Sequence, residues 1–433
     1  MVSLRTHYVS ALSPAMDGQE VTLAGWVHEV RDMGKIKFLQ LRDRTGIAQV
    51  IAKKGDTDEA LMDAMGFVKE SVVQVRGKVK AQPQAKKGYE IVPLSIVDLN
   101  PVTAMIPFEV TGKVPAEIDV RLDNRYVDLR RLETAATFHI QSEVLHGFRE
   151  KLRELGFQEI RTPCLSAAAT EGGADIFRVE YFEKHAFLVQ SPQLYKQFAV
   201  IGGMDKVFMT MPVFRAEKHN TTAHLNEVLQ MDIEIGFADH LDAMDVLEKT
   251  TLNILSCVKT NCAQDLQTLS APLEVPASIP RYSYTQCVEK LAGAGEKIGW
   301  GEDFSKEQEK KLFTLVPEEL FFITDWPTKV RAFYSMPQKD APEKCNAFDL
   351  MFRGVEICSG AQRIHQPGLL VEALKARGLD PEAFEFYINA FKVGAPPHAG
   401  WSIGLERLTM KLANRENIRD ACLFPRDRTR LTP

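Results

Sequence analysis

Two carboxylates near the end of the chain, Asp349 and Glu356, stand seven residues apart in FDLMFRGVEICSG. The alternation there favours a strand, in which residues share a face at even spacing. Seven is odd, so a bulge at Arg353-Gly354 is needed to bring both acids to one side. Together they could hold magnesium against triphosphate oxygens, because that ion takes hard oxygen ligands. Arg215 and Glu217 end a strand in FRAEKHNTTAHLNE, ahead of a polar loop with two Thr and two His. A planar guanidinium at a strand end suits two oxygens at once. Arg407 follows Gly404 in GWSIGLERL. The glycine would let backbone approach a flat ligand, and the arginine, at the start of a helix, could reach a terminal phosphate. Each pattern taken alone has a bland alternative: solvated strand carboxylates, a structural ion pair, a surface arginine.

These groups need a scaffold of some size. The chain has 433 residues, 45% hydrophobic and 26% charged, which points to two or three globular domains. No apolar run approaches the roughly 18–20 residues of a membrane helix. The opening MVSLRTHYVSALSP has neither a secretory nor a transit pattern, so a cytoplasmic enzyme is expected. Cysteines at 164, 257, 262, 287, 345, 358 and 422 are odd in number and scattered, unlike a disulfide framework or a zinc site. The net charge is −5, yet residues 1–110 carry 14 Lys+Arg against 13 Asp+Glu, so the first segment is the better candidate for touching a polyanion.

Five alternating runs lie within residues 18–98: VTLAGWVHEV, KIKFLQLRD, GIAQVIA, SVVQVRGKV and YEIVPLSIVDL. A helix over about 57–69 separates the third from the fourth, the pattern of an oligonucleotide-binding (OB) barrel. Residues 99–118 carry three prolines and read as a linker. A helix over 134–155 follows, with Phe138, Ile140, Val144, Leu145, Phe148 and Leu152 near helical spacing. It stops at Gly156, before a strand FQEIRTP. Antiparallel strands are expected within 174–237, a helix at 240–263, strands at 321–335 and 347–358, and helices at 367–378 and 381–393. The stretch 264–320 carries little information. The whole is α+β, an antiparallel sheet with flanking helices behind an N-terminal barrel. The expected divisions are 1–100 for the barrel, 101–120 for a hinge and 121–433 for the catalytic domain.

F-R-A-E with its loop, G-x-E-R before a helix, and the long helix running into a strand at Pro163 stand in one order. Together they resemble the three signature motifs of class II aminoacyl-tRNA synthetases. Thr170-Glu171-Gly172-Gly173, Gln190-Ser191-Pro192-Gln193-Leu194-Tyr195-Lys196, Phe348-Asp349 through Glu356, Gln362-Arg363-Ile364-His365 and LFPRDR sharpen the resemblance to the aspartyl-tRNA synthetases of subclass IIb. The short start and the lack of a large insertion are similar to the archaeal and eukaryotic type. The resemblance covers nearly the whole chain and is weakest over 264–320.

The resemblance implies a homodimer that uses ATP and Mg2+ to activate L-aspartate and load it on tRNA-Asp. Arg215, Glu217 and Arg407 are then the catalytic residues. Glu171, Ser191, Gln193, Lys196, Arg215, Asp232, Ser359 and Arg363 would bind aspartate, with Lys196 and Arg363, held in place by Asp232, as the cations for its side-chain carboxylate, which asparagine would leave unmatched. Lys196 separates this family from the asparagine enzymes. ATP would meet Arg215, Glu217, His224, Leu225, Glu356, Gly404 and Arg407, and magnesium would meet Asp349, Glu356 and Ser359. In the barrel, Phe38 would stack a base, although a core role is its plain alternative, while Gln49 and Glu90 would read base edges. His28 matches members that also charge tRNA-Asn, whereas Lys86 matches strict ones. Ala361 and Ala399 stand where Gly is common, and Ala223 where Arg is frequent.

Overall fold

Leu39, Leu41, Ala48, Val50 and Ala52 are buried at every second position of two consecutive strands, the burial pattern of a sheet with one face inward. The barrel they line consists of β1 (Glu20–Asp32), β2 (Ile36–Asp43), β3 (Gly46–Lys53), β4 (Val72–Ala81) and β5 (Tyr89–Asn100), closed in the order β1-β2-β3-β5-β4. Closure removes the free edges of the sheet. The computed structural model describes residues 4–167, 175–218 and 221–433, in two compact units, Met1–Arg131 and Leu132–Pro433. In the first unit the helix expected over 57–69 is shorter, Glu59–Ala64, and starts where the Asp58 carboxylate accepts from Leu61 N–H. Residues 101–117 have no regular structure. Helices Ile118–Asp123 and Arg125–Asp128 follow within the same unit.

The second unit is built on an eight-stranded sheet. Its strands, with those of a small side sheet, are β6 (Gln158–Glu159), β7 (Leu165–Ser166), β8 (Arg178–Tyr181), β9 (Lys184–Leu188), β10 (Lys206–Phe214), β11 (Glu227–Gly236), β12 (Arg281–Ser283), β13 (Leu320–Thr324), β14 (Ala347–Phe352), β15 (Val355–Gln362) and β16 (His398–Gly404). The main order is β12-β13-β14-β15-β16-β11-β10-β6, antiparallel except at the two outermost pairs. β7, β9 and β8 form the separate sheet, so the runs IFRVEYF and AFLVQS do not join the large one.

The long helix spans Leu132–Glu154 and packs with His240–Asn261 on one face of the sheet. Ile140, Val144, Phe148, Leu247, Ile254 and Val258 meet Phe208, Ile233, Trp401, Ile403 and Phe348 in one buried cluster. Burying such side chains is worth roughly 1.5–3 kcal/mol each, the main reason the sheet keeps its register. Two expected strands are corrected. The run 321–335 is strand only to Thr324, because Asp325 takes a positive φ of 57° and Pro327 follows. The run 347–358 is a hairpin, turned at Arg353 (φ 48°) and Gly354 (φ 74°), the two positive-φ positions of a tight two-residue loop. The helix expected at 381–393 divides into a 3-10 turn, Pro381–Phe384, and a helix, Glu385–Lys392. Among the described residues no helix is long and apolar enough to cross a membrane.

Candidate active site

The helices cover one face of the large sheet, so side chains of opposite parity are presented on the other. On β11, Met231, Ile233 and Ile235 enter the core while Gln230, Asp232 and Glu234 point away from it. Strand pairing then sets a row across four strands: Asp349 opposite Ser359, Ser359 opposite Ser402, and Ser402 opposite Asp232. Residues up to 170 positions apart become neighbours through register alone. Glu356 joins this face through a bulge. Leu350 pairs with Cys358 but Met351 with Glu356, so Ile357 is the extra residue. The odd spacing of the two acids does require a bulge, but it lies at Ile357, and Arg353-Gly354 is the hairpin turn.

Two cavities lie on this face. The first, about 280 Å³, holds Lys196, Arg215, Arg331 and Arg363 together with Ser191, Gln193 and Asp232. The second, about 140 Å³, is lined by Glu217, His224, Leu225, Gly404 and Arg407, and by Ala223, whose methyl offers no polar contact. Arg215, Gln230, Glu356, Ser359 and Ser402 line both, so the two are continuous. Lys196, Arg215 and Arg363, distant in sequence, thus share one cavity.

The first cavity rests on a buried chain of charges. Lys196 Nζ donates to Asp232 Oδ1 at 2.8 Å and lies 3.4 Å from Glu234 Oε2, and Arg363 Nε donates to Glu234 Oε1 at 3.0 Å. Ser402 Oγ donates to the other Asp232 oxygen at 3.0 Å. Lys196 is 1% exposed and Glu234 not at all. Asp232 holds Lys196 as expected, but Arg363 is held by Glu234 and not by Asp232; both cations are paired, because a bare charge at this depth would be costly. Burial pushes the Asp232 carboxyl up despite Lys196, whereas Glu234, also desolvated, is held below the usual carboxylate range by Arg363 and Lys196. Glu234 lies flat against β16 only because residue 400 is glycine, where a Cβ would stand 2.1 Å from its Oε2. The Nη1 of Arg363 makes no hydrogen bond to a described residue. Gln193 Nε2 and Gln230 Oε1 are buried polar atoms without a protein partner. Such orphans mark a place where a ligand or water completes the bonding. Ser191 Oγ accepts from Gln193 N–H and fixes the first turn of the helix Gln193–Ala199.

At the junction, the Arg215 guanidinium has no hydrogen bond or ion pair with a described residue. Its backbone is tied to Asn226: Arg215 N–H donates to the Asn226 carbonyl, and Asn226 Nδ2 donates back to the carbonyls of Arg215, at 2.6 Å, and Glu217, at 3.1 Å. The strand end is held while the guanidinium has no partner among the described residues. In the second cavity His224 Nε2 lies 3.9 Å from Glu217, and Lys306 Nζ lies 2.8 Å from His224 Nδ1. Burial first, and then Lys306, push the His224 imidazole down, so it is neutral at pH 7. Arg407 sits in the first turn of the helix Leu405–Leu412 and donates to the Glu356 carbonyl at 3.3 Å. A Cβ at Gly404 would meet nothing nearer than Arg407 at 3.9 Å, so space is open above it.

Asp349, Glu356 and Ser359 offer hard oxygen donors suited to magnesium. Asp349, however, accepts from Arg331 Nη1 and Nη2 at 2.8 and 2.7 Å, and Arg331 also donates to Ser359 Oγ. Burial and the neighbouring Asp349 push the Glu356 carboxyl up. Among the described residues no three His, Cys, Asp or Glu side chains gather in metal-holding geometry. Glu171 lies outside the described residues. Ala361 and Ala399 sit in β15 and β16 without positive φ, so the extra methyl is free of backbone strain.

Sequence reasoning missed Glu234, Arg331, Asn226, Lys306 and Glu309. Glu234 had a visible signal, its alternation with Asp232, whereas Lys306 and Glu309 lie in the uninformative stretch. Burial and the nearby Glu356 push the Glu309 carboxyl up to about 7. In the barrel unit, Phe38 is half-exposed and outside the core, on the same face as Gln40 and its cross-strand partner Gln49. Gln49 donates to Glu90 at 2.8 Å, so the two are joined. His28 is the bulged residue of β1, and Arg42 donates to its Nδ1 at 2.9 Å. Lys86 is exposed in the β4–β5 turn.

Residues 117–428 match the family of class II tRNA synthetases (D, K and N), and residues 21–99 match the OB-fold nucleic acid binding domain. The chain is 48% identical to the aspartate--tRNA(Asp/Asn) ligase of Methanocaldococcus jannaschii, over 99% of this chain and 98% of that one. It is 49% identical to the ligase of the same name from Archaeoglobus fulgidus, over 98% and 99%. Its structure is similar to the asparaginyl-tRNA synthetase of Pyrococcus horikoshii with asparaginyl-adenylate, with a TM-score of 0.94 at 32% identity and full coverage of both chains. It is also similar to the Entamoeba histolytica aspartyl tRNA synthetase, with a TM-score of 0.89 at 34% identity, covering 99% and 93%. With a family model matched over residues 117–428 and relatives 48–49% identical over nearly the full length, this chain belongs to the class II aminoacyl-tRNA synthetase family.

Proposed function

We propose that the chain is an aspartate--tRNA ligase that activates L-aspartate with ATP and transfers it to tRNA-Asp and also to tRNA-Asn. The observation that carries this reading is the cation-lined cavity of Lys196 and Arg363, continuous through Arg215 with a second cavity lined by Glu217, His224 and Arg407. Aspartate enters the first cavity with its side-chain carboxylate toward Arg363 and Lys196, and Gln193 and Gln230 supply the polar contacts they now lack. A site built for polar contacts rejects analogues that cannot satisfy them. ATP enters the second, between His224, Glu217 and Arg407.

Arg215 lines both and holds the α-carboxylate of aspartate near the α-phosphate, in keeping with its having no side-chain partner among the described residues. An α-carboxylate oxygen bonds to the α-phosphorus, the bond to the β-phosphate oxygen breaks, and pyrophosphate leaves. A ribose hydroxyl of the terminal adenosine, by class analogy the 3′-hydroxyl, then displaces AMP from the anhydride. Magnesium held by Asp349, Glu356 and Ser359 would neutralise charge on the phosphates. Phe38, Gln49 and Glu90 form the anticodon surface. His28 supports the wider tRNA set: with Arg42 donating to Nδ1 and the ring neutral, Nε2–H is its outward donor. We also assign a cytoplasmic homodimer, with division of labour at 1–100, 101–120 and 121–433.

The rival is an asparagine enzyme, favoured by the TM-score of 0.94. Against it stand the 46–49% identities to aspartate ligases and the presence of Lys196. Pyrophosphate exchange with each amino acid decides the matter: exchange with aspartate and not asparagine is expected, and the converse overturns the reading. Charging of purified tRNA-Asp and tRNA-Asn side by side tests the tRNA set, and no charging of tRNA-Asn would leave a strict enzyme.

A further inference from the structure

Arg331 belongs to none of the motifs that define the site, yet it is bound to two of the three residues assigned to magnesium. It follows the 3-10 turn Thr328–Val330, which Arg377 pins by donating to the carbonyls of Thr328, at 2.6 Å, and of Arg331 itself. Its guanidinium lies over the Trp326 ring, 5.1 Å from the centroid. From there it delivers both terminal nitrogens to the two oxygens of Asp349 and one of them to Ser359 as well. Asp349 is 2% exposed and Arg331 14%, so water screens this pair little.

A fork of this kind takes one lone pair on each carboxylate oxygen. A dication approaching the remaining lone pairs would stand beside a guanidinium where screening is weak. The Arg331–Asp349 pair is neutral as a unit, and the third ligand, Glu356, faces Arg407 at 3.9 Å. Free magnesium therefore finds each of these two carboxylates already facing a guanidinium. Arg331 also lines the cavity that runs on into the nucleotide cavity past Glu356 and Ser359. A triphosphate entering there brings anionic oxygens that a released guanidinium can take.

We infer that Arg331 is the resident cation of the metal subsite, holding Asp349 and Ser359 in register until a divalent ion arrives with the nucleotide. Arg331 is in this sense a positioning residue that fixes the order of binding, with metal entering alongside ATP and not before it. The inference rests on the assignment of Asp349, Glu356 and Ser359 proposed above.

The test is Mn2+ binding to the full chain without nucleotide, followed by electron paramagnetic resonance. Arg331→Met should bind Mn2+ at least about tenfold more tightly than the wild type, since it exposes an unpaired carboxylate. Asp349→Asn in that background should abolish the gain. A purely structural role for Arg331 would weaken the protein without creating a metal site. Should Arg331→Met fail to fold, Arg331→Lys, which loses the fork but keeps the charge, should show a smaller gain in the same direction. Equal Mn2+ affinity in wild type and variant, with ATP-dependent exchange still requiring Asp349, overturns the inference and leaves the proposed metal ligands standing. If Asp349→Asn leaves the magnesium dependence of pyrophosphate exchange unchanged, the ligand assignment falls and the inference falls with it.

Discussion

The two cavities that meet at Arg215 are built differently. The side proposed for the amino acid is floored by strands, and its charges are paired with one another: Lys196 with Asp232 and Glu234, Arg363 with Glu234. The side proposed for the nucleotide is built from the residues just after β10, from Ala223, His224 and Leu225, and from the first turn of the helix Leu405–Leu412. Its cations are loosely held, with Arg407 3.9 Å from Glu356. Sheet register fixes side chains to fractions of an ångström, which suits discrimination between small amino acids. Strand ends and loops leave cations able to follow a phosphate through a reaction. The first side should therefore respond to mutation in both stability and selectivity, and the cations of the second in rate alone.

Lys196→Ala is the largest break in that scheme. It leaves Asp232 and Glu234 with one cation fewer in a dry site, and breaking a buried pair in this way costs about 3–5 kcal/mol. Aspartate-dependent pyrophosphate exchange should fall by roughly 10³ or more, the scale on which sites built for polar groups discriminate. ATP binding should persist, because Lys196 does not line the nucleotide cavity. Urea unfolding with exchange assays measures both effects. A variant that unfolds like the wild type and activates aspartate normally would show that the paired charges do not belong to the amino-acid site.

Arg215→Ala tests the other half. Arg215 has no described side-chain partner, so unfolding free energy should move by less than about 0.5–1 kcal/mol. Removing a preorganised donor to developing charge typically costs about 10²–10³ in kcat, so exchange should fall on that scale. A large loss of stability would mean that the guanidinium is structural.

Much of this contrast is legible in sequence, and what escapes does so for definite reasons. Arg215, Arg407 and Lys196 stand in local motifs, and their cavity follows once the strands are aligned. Asp232 and Glu234 alternate on β11, which marks both as facing away from the core. The partner that makes Glu234 matter, Arg363, lies 129 positions on and is found only through pairing across β16. The seven-residue gap between Asp349 and Glu356 signals a bulge, but its position at Ile357 depends on how β14 aligns with β15. Arg331 and Lys306 occupy irregular or short elements whose placement is tertiary, so no periodicity points to them. Asp349 looks like a free metal ligand in sequence because the arginine that neutralises it leaves no local trace.

The smallest effect concerns how the nucleotide side is anchored. Glu406, next to Arg407, is 7% exposed and accepts from Leu229 N–H at 3.1–3.2 Å, tying the helix start to β11. Burial pushes its carboxyl from 4.5 up to about 7. Between these values the unfolded chain has released a proton that the folded chain keeps, so stability falls as pH rises from about 4.5 to 7 and then levels off. That displacement corresponds to at most ~3 kcal/mol. Glu406→Gln has nothing to ionise, and its amide oxygen still accepts from Leu229. Relative to wild type the variant should therefore gain about 1–3 kcal/mol in going from pH 5 to pH 8, read by urea unfolding at both. Because Glu406 bonds to the Leu229 backbone and forms no ion pair with Arg215 or Arg407, exchange activity at pH 8 should change less than with Arg215→Ala. An equal stability difference at both pH values would mean that this carboxyl ionises normally in the fold, and that the helix carrying Arg407 is held by its apolar contacts.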